Sequence, residues 1–361
     1  MIPIANPQVG DAERERVVDV VESGHLADGP EVRAFEEAFA DYCGTDHAVA
    51  TNNGTTALHA AFEALGIGEG DTVVTSPFSF VASANAVRLA GADPVFADVD
   101  EETFTLDPDA VEAAVREHDA DAVLVVHLYG LPAEMDRLAE VADAHDVELV
   151  EDAAQAHGAE YDGRRVGSFG DAACFSFYPT KNVTTGEGGM VTTDRSGVAD
   201  RTASFVNHGR PMGDDRSSYD HVRLGHNFRM TSVAAAIGRA QLERLPEFNE
   251  ARRANAAYLT DRLERSSVTT PVEPDGRRHV YHQYTVRTND RAALRDHLED
   301  EGVATGVYYP TPIHEQPAYS HVDAEAPVAE RLADEVLSLP VHPGLDGDDV
   351  RTIATAVRDY E

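Results

Sequence analysis

Residues 120–158, ADAVLVVHLYGLPAEMDRLAEVADAHDVELVEDAAQAHG, decide the fold. The apolar run ADAVLVVHLYG reads as a buried strand, AEMDRLAEVADAHD carries the apolar spacing of a helix, and VELVEDAA reads as a second strand. Strands joined through a helix of this length run parallel. The same alternation extends outward in both directions, from about Asp46 to Thr193. HAVAT precedes GTTALHAAFEAL, DTVVT precedes SFVASANAVRLA, and DPVFADV precedes LDPDAVEAAVREH; AACFSF and GGMVTTD close the series. An α/β fold follows, with a mostly parallel central sheet and helices on both faces. In such sheets ligands bind at the carboxyl ends of the strands.

Beyond the sheet, a helix from Thr231 to about Leu245 meets Pro246, and a second helix, LPEFNEARRANAAYLTDRLERS, leads away. VYHQYTVRT and TGVYYP then read as strands, RAALRDHLEDEG as a helix, and a last helix begins at Asp346. The chain has 361 residues, more than one core usually holds. A large domain over residues 1–245 and a smaller α+β domain over residues 246–361 are therefore expected.

Acids outnumber bases 65 to 29, for a net charge of −36. That excess disfavours nucleic acid and anionic membranes as partners. The repulsion becomes tolerable at molar salt, where the screening length is about 3 Å, so the surface reads as salt-adapted. The amino terminus lacks a basic region and an apolar core, and no apolar run reaches the ~20 residues that span a bilayer. Cys43 and Cys174 give neither a disulfide framework nor metal-ligand spacing, so no metal is expected and a cytoplasmic setting is.

Lys181 is the only lysine among the 29 basic residues. A surface ammonium is readily exchanged for guanidinium, but an amine that must lose a proton and attack a carbonyl is not. Lys181 follows the apolar run ACFSFYPT and precedes Thr185-Gly186-Glu187-Gly188-Gly189. Pro179 cannot continue a paired central strand, so Lys181 is placed on a loop past the sheet edge, where desolvation makes an amine reactive. Asp152, at the end of VELVED, suits a pyridine nitrogen and equally a helix cap. Asn53-Gly54-Thr55-Thr56 suits a phosphate at a helix start, and equally a plain N-cap.

Taken in order, GTTALHAAFEALGIGEGD, TSPFSFVASANAV, VEDAAQAHGA, FSFYPTKN with TGEGGMVTTD, GHNFRMTSVAAAIGRAQL and YYPTPIHEQPAY resemble the DegT/DnrJ/StrS-type sugar aminotransferases. These are fold-type I enzymes that use pyridoxal 5′-phosphate and aminate keto sugars carried on nucleotides. The resemblance implies that Lys181 holds the cofactor covalently and moves the proton. It implies that Asp152 pairs with the pyridinium nitrogen, Gln155 contacts the ring's phenolic oxygen, Ser176, Thr55 and Thr56 bind the phosphate, and Phe80 stacks on the ring. Asn227 would reach the phosphate of a second subunit, which implies a homodimer with shared sites. His208, Tyr309 and His314 are candidates for the sugar pocket. Glutamate is the expected amino donor. Two alternatives stay open: a sugar dehydratase, against which Lys181 argues because histidine stands there in those enzymes, and a noncatalytic sensory protein of the same fold.

Overall fold

The structure is a computed structural model that describes residues 1–211 and 219–360. Its central sheet begins with β1 (His47–Thr51), β2 (Thr72–Thr75), β3 (Asp93–Phe96), β4 (Ala122–Val126) and β5 (Glu148–Asp152). A short ribbon, β6 (Glu160–Tyr161) and β7 (Arg164–Arg165), lies outside it, and β8 (Ala172–Ser176) and β9 (Gly189–Thr193) complete it. The strand order is β1-β9-β8-β5-β4-β2-β3. All pairings are parallel except those of β9, which runs antiparallel to both β1 and β8. The loop between β8 and β9 carries no crossover helix, and without one the chain must reverse direction.

Side chains alternate across this sheet. Val73, Leu124 and Val191 face α3 (Gly54–Leu65), α4 (Ala82–Ala90) and α7 (Ser196–Val206), while Val74, Val123 and Val125 face α5 (Pro108–His118) and α6 (Met135–His145). A third cluster packs Phe35 and Phe39 of α2 (Pro30–Cys43), which follows α1 (Asp11–Ser23), against Phe175 and Phe177. The α/β sheet with helices on both faces is thus as the sequence predicts.

At Pro246 the structure departs from the sequence reading. One continuous helix, α8 (Ser232–Leu263), runs through that proline. Thr231 caps its start, accepting from the Ala234 amide at 3.2 Å. An interior proline costs a helix about 3 kcal/mol. Leu242, Leu245, Phe248, Leu259 and Leu263 are all buried, and each such side chain contributes about 1.5–3 kcal/mol, which outweighs the break.

The last third of the chain adds β10 (Arg277–Arg278), paired to β6, and a hairpin-like pair of β11 (Tyr284–Arg287) and β12 (Val336–Leu339). Helices α9 (Arg291–Asp300), α10 (Pro327–Glu335) and α11 (Gly347–Asp359) accompany them. The end of α8, β11, β12, α9 and α11 share one core around Leu259, Tyr284, Leu294, Leu337 and Ile353. TGVYYP does not form the expected strand; only Gly306 bridges to Ser338. Tyr309, with φ +61°, turns the backbone away from an extended path and Pro310 follows it. Among the described residues no helix is long and apolar enough to cross a membrane.

Behind the carboxyl end of β5 lies a buried charged knot. Glu151, fully buried, accepts from His127 Nε2 at 3.0 Å and from the amides of Gly167, Phe169 and Gly170 at 2.8, 2.7 and 3.0 Å. The Ala133 amide donates to His127 Nδ1, so the imidazole is the neutral tautomer that donates from Nε2. Burial raises the Glu151 pKa, but His127 and the backbone amides outweigh it and hold the carboxyl below its ordinary value. This anchor therefore stabilises the fold above the ordinary carboxylate range, and its contribution is lost as pH falls through the lowered pKa. Glu151→Gln leaves two of these donors facing an amide group, and urea denaturation is expected to register a loss of about 3 kcal/mol.

Candidate active site

The carboxyl ends of β1, β2, β4, β5 and β8 meet at one edge of the sheet, and the first residue of β9 joins them because it runs in reverse. Asp152 ends β5 there and pairs in register with Cys174, two residues before Ser176 ends β8. From Ser176 the chain enters a turn clamped by backbone bonds, Phe177 N to Gly188 O at 2.9 Å and Thr185 N to Phe177 O at 3.0 Å. Lys181 sits within that turn, on the loop that Pro179 predicts, and its amide donates to the Tyr178 carbonyl at 2.9 Å.

Two opposing charges define the centre. Burial lowers the Lys181 pKa to about 8, against the pull of Asp152. Burial raises the pKa of Asp152, and Ser83, the Ala154 amide and the Lys181 charge oppose that rise without cancelling it. Asp152 Oδ2 accepts from Ser83 Oγ at 2.8 Å and Oδ1 from Ala154 N at 3.2 Å. No helix follows for it to cap, so the helix-cap reading of Asp152 falls away. Ser83, which the sequence reading missed, lies one helical turn beyond Phe80. Phe80 is 57% exposed, so its ring stands outside the core, while Phe78 is buried in the core.

The turn before α3 is built for close approach. A Cβ on Gly54 would lie 2.8 Å from Ser176 Cβ, and one on Gly189 would lie 2.3 Å from the Asn53 carbonyl oxygen. Only glycine lets the start of α3 come this near to Ser176 and the start of β9 this near to Asn53. Asn53 is the N-cap, accepting from Thr56 N at 2.9 Å, and Thr56 Oγ1 donates to Asn52 Oδ1 at 2.7 Å. Thr56 is thus engaged within the cap, whereas no side-chain partner holds Thr55 among the described residues. Gly54→Ala forces the two apart. Overpacking of this kind costs about 1–3 kcal/mol, which thermal melting would register, and equilibrium dialysis should show weakened retention of a phosphate-bearing ligand.

Gln155 is fixed from both ends. Its Oε1 accepts from Tyr129 N at 2.8 Å and its Nε2 donates to the Tyr309 hydroxyl at 2.9 Å. Tyr309 is thereby brought to the site, and Tyr129 stacks beside it with ring centroids 6.1 Å apart. Both tyrosines have positive φ, 55° and 61°, a strained conformation for such residues that clusters at ligand sites. Neither Tyr129 nor this clamp was visible in the sequence.

Three other candidates make no hydrogen bond or ring contact with Lys181 among the described residues. His314 is buried, bonded to Glu330 Oε1 at 3.2 Å and packed on Phe96. His208 is exposed, and its carbonyl holds the His221 ring. Asn227 is exposed and accepts from Arg229 at 2.9 Å. Its neighbour Phe228 offers a carbonyl to Asn52 N at 2.7 Å, so the GHNFRM run lies against the turn that opens α3. A cavity of about 300 Å³ opens near Asn207 and Arg229, and none of the residues around Lys181 lines it.

Pyridoxal phosphate fits the arrangement. A desolvated amine faces a buried acid, a glycine-lined helix start with an uncommitted threonine hydroxyl can take a phosphate, and an exposed phenylalanine precedes the serine that holds the acid. The family model for the DegT/DnrJ/EryC1/StrS aminotransferase family matches residues 7–358. A dTDP-3-amino-3,4,6-trideoxy-alpha-D-glucose transaminase of Streptomyces venezuelae is 42% identical, over 97% of this chain and 91% of its own. A pleiotropic regulatory protein of Geobacillus stearothermophilus is 40% identical, over 96% and 93%. The crystal structure of S. venezuelae DesV in complex with a ketimine intermediate superposes with a TM-score of 0.92 at 42% identity, covering 96% of this chain and 94% of that one.

Proposed function

Because the chain belongs to the DegT/DnrJ/EryC1/StrS aminotransferase family, we propose that it moves an amino group from L-glutamate to the keto group of a nucleotide-linked sugar. It is a pyridoxal-phosphate-dependent aminotransferase. When bound, that cofactor supplies an electron sink for a carbanion next to nitrogen. Lys181 holds the cofactor between turnovers and, once released, carries the proton between carbon atoms. Asp152, kept in place by Ser83, holds the ring nitrogen protonated. Gln155, clamped by Tyr129 and Tyr309, orients the phenolic oxygen, and Phe80 covers one ring face. Ser176, Thr55 and the free amides of α3 bind the phosphate, with Thr56 setting the cap that presents them.

The observation that carries this reading is the desolvated amine of the half-buried residue Lys181, within the field of the buried Asp152 at the carboxyl edge of a parallel sheet. Several finer statements belong to the proposal. Residues 1–245 form a large domain and 246–361 a small one, a division supported by the separate core around Leu259 and Ile353. The enzyme is a homodimer in which the exposed Asn227 reaches the partner's phosphate. It is a cytoplasmic, salt-adapted protein of polysaccharide biosynthesis, as its charge of −36 supports. His208 and His314 remain candidates for the sugar pocket beside Tyr309.

L-glutamate added to the yellow holoenzyme should bleach it to the amine form, and a panel of nucleotide keto sugars should identify the one that restores the colour. The regulatory name borne by one relative motivates the second reading, a cofactor-binding sensor without turnover. A spectrum that glutamate leaves unchanged would favour it.

A further inference from the structure

One group of buried polar atoms has no part in the scheme above. Arg252, on α8, is 7% exposed. Its Nη1 donates to the carbonyls of Tyr281 at 3.1 Å and His282 at 3.3 Å, and its Nε has no acceptor. No carboxylate pairs with it among the described residues, and burial lowers its pKa to about 10 with nothing to offset the shift. Asn182 Oδ1 and His282 Nδ1 are likewise buried and unpartnered. Burial lowers the His282 pKa well below its ordinary value, and the charges of Lys181 and Arg252 lower it further.

Arg252 and Lys181 also line a common pocket of about 20 Å³, walled by Asn6, Gln8, Asn182 and Pro343. A void of this size admits one water-sized group, the size of a single carboxylate oxygen, with the rest of the ligand outside it. Its charge character selects which: the pocket has two bases and no acid among its lining residues, in a chain with 65 acids and 29 bases. A buried guanidinium without a counter-ion is costly, and a ligand carboxylate removes that cost. The wall is also preformed. Gln241 Nε2 fixes the Gln8 carbonyl at 2.8 Å, and His342 Nε2 bonds the Pro3 carbonyl at 3.0 Å.

We propose that Arg252 is the carboxylate-binding residue for the amino donor, receiving one carboxylate of an α-amino acid in the pocket that it shares with Lys181. The inference rests on the aminotransferase reading. It separates the two halves of the reaction, because the donor always brings a carboxylate whereas a neutral keto sugar brings none.

The test uses cofactor-loaded enzyme with glutarate as a non-reacting probe, followed by calorimetry, and single-turnover rates for each half-reaction. Hydrogen bonds to a charged group are worth about 1.5–3 kcal/mol, so Arg252→Gln should raise the glutarate dissociation constant about ten- to a hundredfold. Arg252→Lys should recover part of that loss. The glutamate half-reaction should lose far more than the half-reaction of the amine form with the sugar. Asn6→Asp, at an exposed position that tolerates the change, puts an acid in the wall and should also weaken glutarate. Unaltered glutarate binding in Arg252→Gln or Asn6→Asp overturns the assignment, as does an equal fall in both half-reactions. If wild-type enzyme is not bleached by any amino acid, the aminotransferase reading itself fails and takes this one with it. If wild type bleaches and the variants match it, the subsite alone is lost.

Discussion

Lys181→Arg is expected to abolish turnover, by about 10⁴-fold or more, while leaving the fold intact. Guanidinium keeps the positive charge beside Asp152 but stays protonated, so it can neither attack a carbonyl nor carry a proton between carbon atoms. With no other lysine in the chain, no neighbouring amine can substitute. Borohydride reduction and peptide mapping should find a pyridoxyl label on Lys181 of wild type and none in the variant; a label on the terminal amine instead would defeat the assignment. The pKa adds a second readout. Burial sets the amine near 8, so below that value it is protonated and inert, and above it the neutral nucleophile predominates. Capture of added cofactor by the apoenzyme should therefore quicken as pH rises through about 8 and then level off.

Asp152→Asn should cut turnover about 10³-fold and yet leave the cofactor-free protein as stable as wild type, or more so. The two effects have opposite signs because the Lys181 charge does not cancel the cost of burying the acid, and the pyridinium of the bound cofactor adds a second cation. Burial raises the Asp152 pKa above its ordinary value, so in the apoenzyme the ionised acid costs stability as pH rises through that interval. An amide removes that cost and can still accept from Ser83. In the holoenzyme the same amide cannot hold the ring nitrogen protonated, and the electron sink weakens. Melting curves of the apo and holo forms, set beside single-turnover rates, check both signs. A variant whose apoenzyme melts well below wild type would show that Asp152 supports the fold and not the cofactor.

The fold was legible wherever a local period carried it. Strand–helix alternation from His47 to Thr193 predicts the sheet and its two helical layers, and the side-chain alternation of Val73 with Val74 is the same signal seen in three dimensions. Lys181 was legible for a different reason, since its singularity is a property of composition. The clamp on Gln155 was invisible: Tyr309 lies 154 residues away in sequence, and Ser83 is 69 residues from Asp152. Pairings of that span leave no trace in spacing. Pro246 misled because a local rule for helix ends was overruled by burial on both sides of it, and TGVYYP misled because a strained Tyr309 interrupts an otherwise strand-like composition.

The unbroken course of α8 places Asn249 and Arg252 three residues apart on one face of a rod about 48 Å long. Asn249 grips Asn182, next to Lys181, while Arg252 lines the neighbouring void. Both therefore travel as one piece: tilting the rod to retune the void would drag the lysine's own anchorage with it. Descendants of this chain that accept a different donor would have to exchange side chains along the rod, because they cannot move it.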